Sequence, residues 1–128
     1  MKNSIAIIIL FLSLGVTAQQ KFETTNFVIL TSNIDQIEPI LMAAQNESRE
    51  GEFQIVFYGS KVKQLSNDSF KENLKLAEEF NVKLFVCQMS IERLKIDLAT
   101  IPEEITLVEN AFLYALQLQK KGYKTLNL

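Results

Sequence analysis

Val82-Lys83-Leu84-Phe85-Val86-Cys87 is the stretch of sequence that indicates the fold most directly. Four apolar residues lie between Val82 and Val86, and they do not alternate strictly with polar ones. Such continuity is typical of a strand that is buried on both faces, as strands of parallel sheets are. The only cysteine of the chain, Cys87, comes where this predicted strand ends.

Four more strands are predicted outward from this stretch, at residues 26–31, 53–58, 105–108 and 123–126. Between the strands, apolar side chains recur at the spacing of helices, which predicts four helices. Their apolar residues are Ile37, Ile40, Leu41 and Ala44 in the first, Phe70, Leu74, Ala77 and Phe80 in the second, and Ala111, Ala115 and Leu118 in the fourth, and the short third helix is predicted at 89–96. Alternation of strands and helices favours an α/β fold. We therefore predict a three-layer α/β/α domain around a mostly parallel five-stranded sheet.

Local signals also predict where two helices begin. Asp35 and Glu38 have the spacing of a capping box, and Ser66, Asn67 and Asp68 offer an N-cap for the following helix. The large apolar side chains are expected in the core, namely Phe53, Phe57, Phe70, Phe80, Met89 and Phe112.

The segment 1–18 has the pattern of a secretory signal peptide. Lys2 precedes a nearly continuous apolar run at 5–16, and Val16-Thr17-Ala18 is a small-residue cleavage signal. The alternative is an ordinary first strand or core helix. The run is shorter than the roughly 20 residues that span a bilayer, so we expect no membrane anchor in the mature protein. The predicted organisation is a signal peptide at 1–18, a flexible N-terminus at 19–25 and a single domain at 26–128, in a protein that is periplasmic or secreted.

Composition excludes several classes of function. Lys2 is the only charged residue of the segment 1–18, so its removal changes the net charge from −2 to −3, which gives no electrostatic reason to expect nucleic acid or anionic lipid as a partner. The chain has no histidine, so Ser-His-Asp and Cys-His catalysis and most zinc sites are excluded. It also lacks the glycine-rich motifs of nucleotide-binding loops. We therefore expect no metal and no cofactor.

The candidate site lies where the carboxyl ends of the parallel strands meet, because ligands bind at that rim of an open α/β sheet. The adjoining helix N-terminus is expected to favour the thiolate of a partly exposed Cys87. The candidate binding residues of the rim are Gly59, Ser60, Lys61, Gln88 and Asn110.

Each of these assignments has a plainer alternative. Cys87 is also compatible with an intermolecular disulfide or with a buried, inert residue. Lys61 and Lys63 would then only solubilise a loop, and Gly59 would only end a strand.

Four segments resemble the DsrE/DsrF-like proteins. Residues 55–60 resemble their strand and glycine loop, and residues 82–87 resemble their strand ending in a cysteine. Residues 105–111 and 118–123 resemble their closing strand, helix and Gly-Tyr turn. The resemblance extends over residues 27–128, although the segment Gln88-Met89-Ser90-Ile91 is bulkier than the small polar residues associated with that cysteine.

The resemblance implies a homo-oligomer, a trimer or hexamer, in which Cys87 carries sulfur as a persulfide between donor and acceptor proteins. Such a protein is at most a sulfurtransferase-like carrier without classical catalytic machinery. The signal peptide distinguishes this chain from the cytoplasmic relays of the family. Two other hypotheses stay open, a non-catalytic oligomeric or ligand-binding module in which Cys87 is incidental, and a redox-sensing thiol.

Overall fold

A computed structural model describes residues 24–128 of the chain. In that part, five strands form one sheet, and every pairing between neighbouring strands is parallel. The strands are β1 (Phe27–Thr31), β2 (Phe53–Phe57), β3 (Val82–Cys87), β4 (Ile105–Val108) and β5 (Lys124–Asn127), and the α-helices are α1 (Ile37–Glu47), α2 (Lys71–Glu79), α3 (Gln88–Arg93) and α4 (Ala111–Lys120). The predicted α/β class and the parallel five-stranded sheet are confirmed.

The strand order is β4-β3-β2-β1-β5. The first four strands follow one another across the sheet, and the chain then returns so that β5 pairs with β1, with Phe27 opposite Lys124. Helix α4 makes this return connection. Since all strands are parallel, their carboxyl ends lie along one edge of the sheet, and the loops that leave them are neighbours.

The two faces of the sheet are covered unequally. One face, which we call the α1–α3 face, packs strand side chains such as Ile55 and Phe57 against the apolar sides of α1, α2 and α3. On the other, the α4 face, the helical residues in the buried cluster are Ala111, Ala115 and Leu118, all from α4. Cys87 belongs to the α4 face.

Two of the predicted helix caps do not form. Helix α1 begins after a 3-10 turn at Ile34–Gln36 that contains Asp35, so Gln36 occupies its N-cap without a side-chain capping bond, and Asp35 pairs with Lys61. Asp68–Phe70 forms a 3-10 turn with Asn67 at its N-cap, again without a side-chain bond. Tertiary partners and packing, rather than these caps, therefore set where the two helices begin.

The expected core is correct at four positions and wrong at two. Phe53, Phe57 and Phe70 are buried, and Phe80 packs against the same cluster. Met89 and Phe112, however, are 46% and 51% exposed. Both follow a helix N-terminus at the rim of the sheet, where an apolar side chain has no second layer to cover it.

The predicted signal peptide at 1–18 and most of the predicted flexible N-terminus at 19–25 lie outside the described residues. Among residues 24–128, the helices are too short or too polar to cross a membrane.

Candidate functional site

Cys87 is the last residue of β3 and pairs with Val108 of β4. Its sulfur lies between two helices, because Cys87 immediately precedes α3 and the residues after β4 lead directly into α4. The Sγ atom accepts a hydrogen bond from the backbone N–H of Ala111 at 3.4 Å. The donor therefore comes from α4, at a sequence separation of 24, and not only from the adjoining helix that the sequence indicated.

The predicted partial exposure of Cys87 is wrong for this conformation. The residue is 5% exposed and is packed with Val56, Val108 and Ala111 in the cluster of the α4 face. Strand β3 ends one residue later than the sequence indicated, so Cys87 still belongs to the buried sheet rather than to the loop.

Hydrogen bonding outweighs burial in setting the acidity of the thiol. Burial raises the pKa of Cys87, and the N–H of Ala111, the N–H and hydroxyl of Ser90 and the N–H of Met89 lower it, so that the net pKa lies below the usual value. Helix α3 shows no side-chain capping bond from Cys87, so the bond from Ala111 is the one with full hydrogen-bond geometry. An inert buried cysteine in apolar surroundings would show the opposite shift.

Gly59 is joined to this site through Ser90, which the sequence analysis did not single out. The N–H of Gly59 donates to the Ser90 hydroxyl oxygen at 3.0 Å. Gly59 has φ 86° and ψ −167°, a backbone conformation that is essentially restricted to glycine. The glycine therefore does more than end β2. A hydroxyl three residues after Cys87, in the first turn of α3, was the available signal for Ser90.

Asn110 caps α4. Its side-chain oxygen accepts from the N–H groups of Phe112 at 3.0 Å and Leu113 at 3.2 Å, and its backbone carbonyl accepts from Tyr114. The first N–H groups of a helix have no partner inside the helix. The remaining one, that of Ala111, is directed at Cys87. Asn110 therefore joins the site as part of its scaffold.

The side chains of the other candidate residues bond to groups other than the Cys87 sulfur or are exposed. Lys61 donates to Asp35 at 2.8 Å and to Asn33 at 3.2 Å. Gln88 donates to Glu92 along α3, and Ser60 is exposed. Of the six predicted residues, the structure thus links Cys87, Gly59 and Asn110 into one hydrogen-bonded arrangement.

A second polar cluster lies at the opposite end of the sheet. The Glu52 carboxylate accepts from Lys83, Tyr123 and Gln54, and Gln54 in turn accepts from the Tyr114 hydroxyl at 2.6 Å. The bonds from Lys83 and Tyr123 lower the pKa of Glu52 to about 2, and burial together with Glu52 raises the pKa of Tyr123 to about 12. Within residues 24–128, no group of His, Cys, Asp and Glu side chains is arranged to hold a metal.

Comparison with solved structures supports the fold. The protein of unknown function MTH1491 from Methanobacterium thermoautotrophicum has a TM-score of 0.66 at 12% identity, over 80% of this chain and 100% of its own. The conserved protein of unknown function BT1422 from Bacteroides thetaiotaomicron has a TM-score of 0.62 at 20% identity, over 80% of this chain and 95% of its own. At these identities the likeness concerns the fold alone.

Comparison by sequence identifies the family. No curated protein matches the chain, but the model of the DsrE/DsrF-like family matches residues 6–128. Because that match covers nearly the whole sequence, the chain belongs to the DsrE/DsrF-like family, and this membership suggests a role in sulfur relay.

Proposed function

We propose that this protein carries sulfur as a persulfide on Cys87. The observation that supports the proposal most is the hydrogen bond from the Ala111 N–H to the Cys87 sulfur, in a setting where hydrogen bonds hold the pKa of the thiol below its usual value. A thiolate is the nucleophilic form of cysteine. A sulfur stabilised in this way needs no histidine base.

The reaction needs only a persulfidated donor. The Cys87 thiolate attacks the outer sulfur of a donor R–S–S–H, a new S–S bond forms at Sγ, and the donor leaves as the thiolate R–S⁻. The proton stays on the transferred sulfur, so the product is Cys87–S–S–H and no external oxidant is required. Attack by an acceptor thiolate on the same outer sulfur then returns Cys87 to its starting state.

Burial constrains how the transfer takes place. Cys87 is 5% exposed, so a donor reaches its sulfur only when the segments around it open locally. The lowered pKa and the rate of modification therefore report different properties, since the first measures stabilisation of the thiolate and the second also includes the opening step.

Mass spectrometry tests the proposal. The reduced protein is incubated with a low-molecular-weight persulfide, and we expect an adduct that adds the mass of one sulfur atom. Cys87→Ser should abolish the adduct. The absence of an adduct on the wild-type protein, or an alkylation midpoint at or above the free-cysteine pKa of about 8.5, would overturn the proposal.

We also propose that the protein acts outside the cytoplasm, with donor and acceptor proteins of that compartment. The support is the signal-peptide pattern at 1–18. The intact mass of the exported protein tests this directly. We expect a product that begins at Gln19, and a product that retains the segment 1–18 would contradict it.

The second candidate function is a non-catalytic oligomeric or ligand-binding module in which Cys87 is incidental, and the burial of Cys87 favours it. Such a protein would show slow alkylation and no adduct. Replacing Cys87 by serine would bury a hydroxyl in place of the thiol and reduce stability under either function, so alkylation and the adduct distinguish the two.

We propose a homo-oligomer, a trimer or hexamer, under either function. Helix α4 begins with the sequence Ala-Phe-Leu-Tyr-Ala-Leu, and Phe112, Leu113 and Leu116 are 51%, 49% and 55% exposed. A helix that is apolar all round is normally covered on both sides, and a second copy of this chain is the occupant that the family resemblance implies.

Light scattering coupled to size-exclusion chromatography tests the assembly. Leu116→Lys should yield folded monomers, because the side chain does not belong to the buried core. Gln117→Lys is the matched control, since it adds the same charge at an exposed polar position of α4. A wild-type protein that is monomeric at micromolar concentration would contradict the proposal.

A further inference from the structure

We infer that Asn110 is a positioning residue for Cys87, because its cap on α4 keeps the Ala111 N–H directed at the Cys87 sulfur. The inference rests on the proposed sulfur-carrying function of Cys87. It assigns the stabilising helix to α4, whose first residue is separated from the cysteine by 24 positions in the sequence.

The backbone N–H groups at the start of α4 have different acceptors. Asn110 satisfies Phe112 and Leu113 with its side-chain oxygen and Tyr114 with its backbone carbonyl. Those three bonds fix the direction of the first turn. The N–H of Ala111 is left over from this set, and it bonds to the Cys87 sulfur at 3.4 Å.

The conformation of Asn110 agrees with this role. The residue has φ −143° and ψ 118°, the extended geometry of an N-cap, and it follows β4, which pairs with β3 through Val108 and Cys87. The strand pairing thus sets where α4 begins relative to the sulfur, and the cap sets where its first N–H groups point. Partial positive charge at the N-terminus of the helix adds to the stabilisation of a thiolate or a persulfide anion.

Other ionisable groups pack against the same cluster or lie on adjoining segments, and they remain the same in every variant below. Tyr58, Tyr114 and Tyr123 pack against the cluster that contains Cys87, and burial raises the pKa of Tyr114. The charged side chains on the adjoining segments are Lys61, Glu92, Arg93 and Glu109. Their contributions cancel when variants are compared at one pH.

The test measures thiolate directly, so that access to the sulfur does not affect it. Ultraviolet absorbance of the thiolate is titrated against pH in the reduced, full-length mature protein, with Cys87→Ser as the blank. We expect Asn110→Ala to hold about threefold to tenfold less thiolate than wild type at a pH below both midpoints. Asn110→Ser keeps a neutral capping oxygen, and it should restore the wild-type profile.

Two further variants complete the design. Asn67→Ala is the matched control, because Asn67 also occupies an N-cap position but makes no side-chain capping bond, and its thiolate profile should equal that of wild type. If Asn110→Ala does not fold, Asn110→Gly replaces it, since glycine lacks the capping side chain but is well tolerated at the N-cap of a helix.

Each outcome decides the inference. A profile shifted in Asn110→Ala and restored in Asn110→Ser supports it. An unshifted profile in Asn110→Ala overturns the inference and leaves Asn110 as a structural cap. A profile that shifts as much in Asn110→Ser as in Asn110→Ala also overturns it. The proposed function is judged separately, since a wild-type protein that forms no persulfide adduct refutes the carrier function even where the thiolate profiles move as expected.

Discussion

On the α1–α3 face, strand side chains such as Ile55 and Phe57 pack into a large apolar cluster with three helices. On the α4 face, a single helix covers a smaller apolar cluster. Polar bonds are also made on this face, by the side-chain cap at Asn110 and by the network around Glu52. Helix α4 has a side-chain cap at its N-terminus, whereas α1 and α2 on the other face have none. We infer that apolar burial holds one face and that directed polar bonds hold much of the other.

The largest expected effect tests the apolar side of this comparison. Phe57 is fully buried on the α1–α3 face and makes an edge-on contact with Phe70 at 5.8 Å between ring centroids. Phe57→Ala should reduce the free energy of unfolding by about 3–5 kcal/mol, because it removes apolar contact and leaves a cavity. Urea denaturation measures this loss.

Phe112→Ala is the control on the other face. Phe112 is half exposed and contacts Tyr58 at 5.0 Å between ring centroids, so its replacement should cost about 1 kcal/mol. Both variants are measured at the same low protein concentration, so that assembly does not contribute. Equal losses in the two variants would contradict the difference between the faces.

Sequence alone predicted the apolar side of the comparison well. Continuous runs such as 53–57 and 82–86 indicate buried parallel strands. Asn81 and Gly122, which follow α2 and α4, have positive φ angles, and asparagine and glycine are the residues that commonly end helices in this conformation. These signals are local, because each can be recognised from a few consecutive residues.

The polar side was not predictable, because its bonds join distant segments. The donor to Cys87 comes from Ala111, and the donor to Ser90 comes from Gly59, at a sequence separation of 31. Periodicity likewise could not place Phe112, since an all-apolar helix turn does not indicate which side meets the sheet. Asp35 had the spacing of a cap and bonds to Lys61 instead.

An intermediate effect tests the polar side. The Tyr114 hydroxyl of α4 donates to Gln54, which is only 5% exposed within β2. Tyr114→Phe keeps the ring but leaves the side-chain oxygen of Gln54 without this donor, so we expect a loss of about 1–3 kcal/mol. Tyr58→Phe is the matched control, because the Tyr58 hydroxyl bonds to Asn127 at the surface. Losses of the same size in the two unfolding curves would show that burial of Gln54 does not matter.

The smallest expected effect depends on pH and belongs to the same polar network. Bonds from Lys83 and Tyr123 lower the pKa of Glu52 from 4.5 to about 2. A carboxyl group whose pKa is lower in the folded state stabilises the fold fully above pH 4.5, and the stabilisation is lost as the pH falls from 4.5 towards 2. Because the Glu52 side chain is 41% exposed, solvent screening limits the contribution to about 1 kcal/mol or less.

Unfolding free energies of wild type and Glu52→Gln, measured from neutral pH into the acid range, test this expectation. The two proteins should differ by a constant amount above pH 4.5, and the difference should shrink below it, because protonation removes from wild type the charge that the variant already lacks. Glu104→Gln is the control for removing one exposed carboxylate near the same end of the sheet, and the change seen in Glu52→Gln is compared with it. A gap for Glu52→Gln that stays constant through the acid range would mean that the charge of Glu52 does not hold the α4 face, and that shape and apolar contact hold both faces alike.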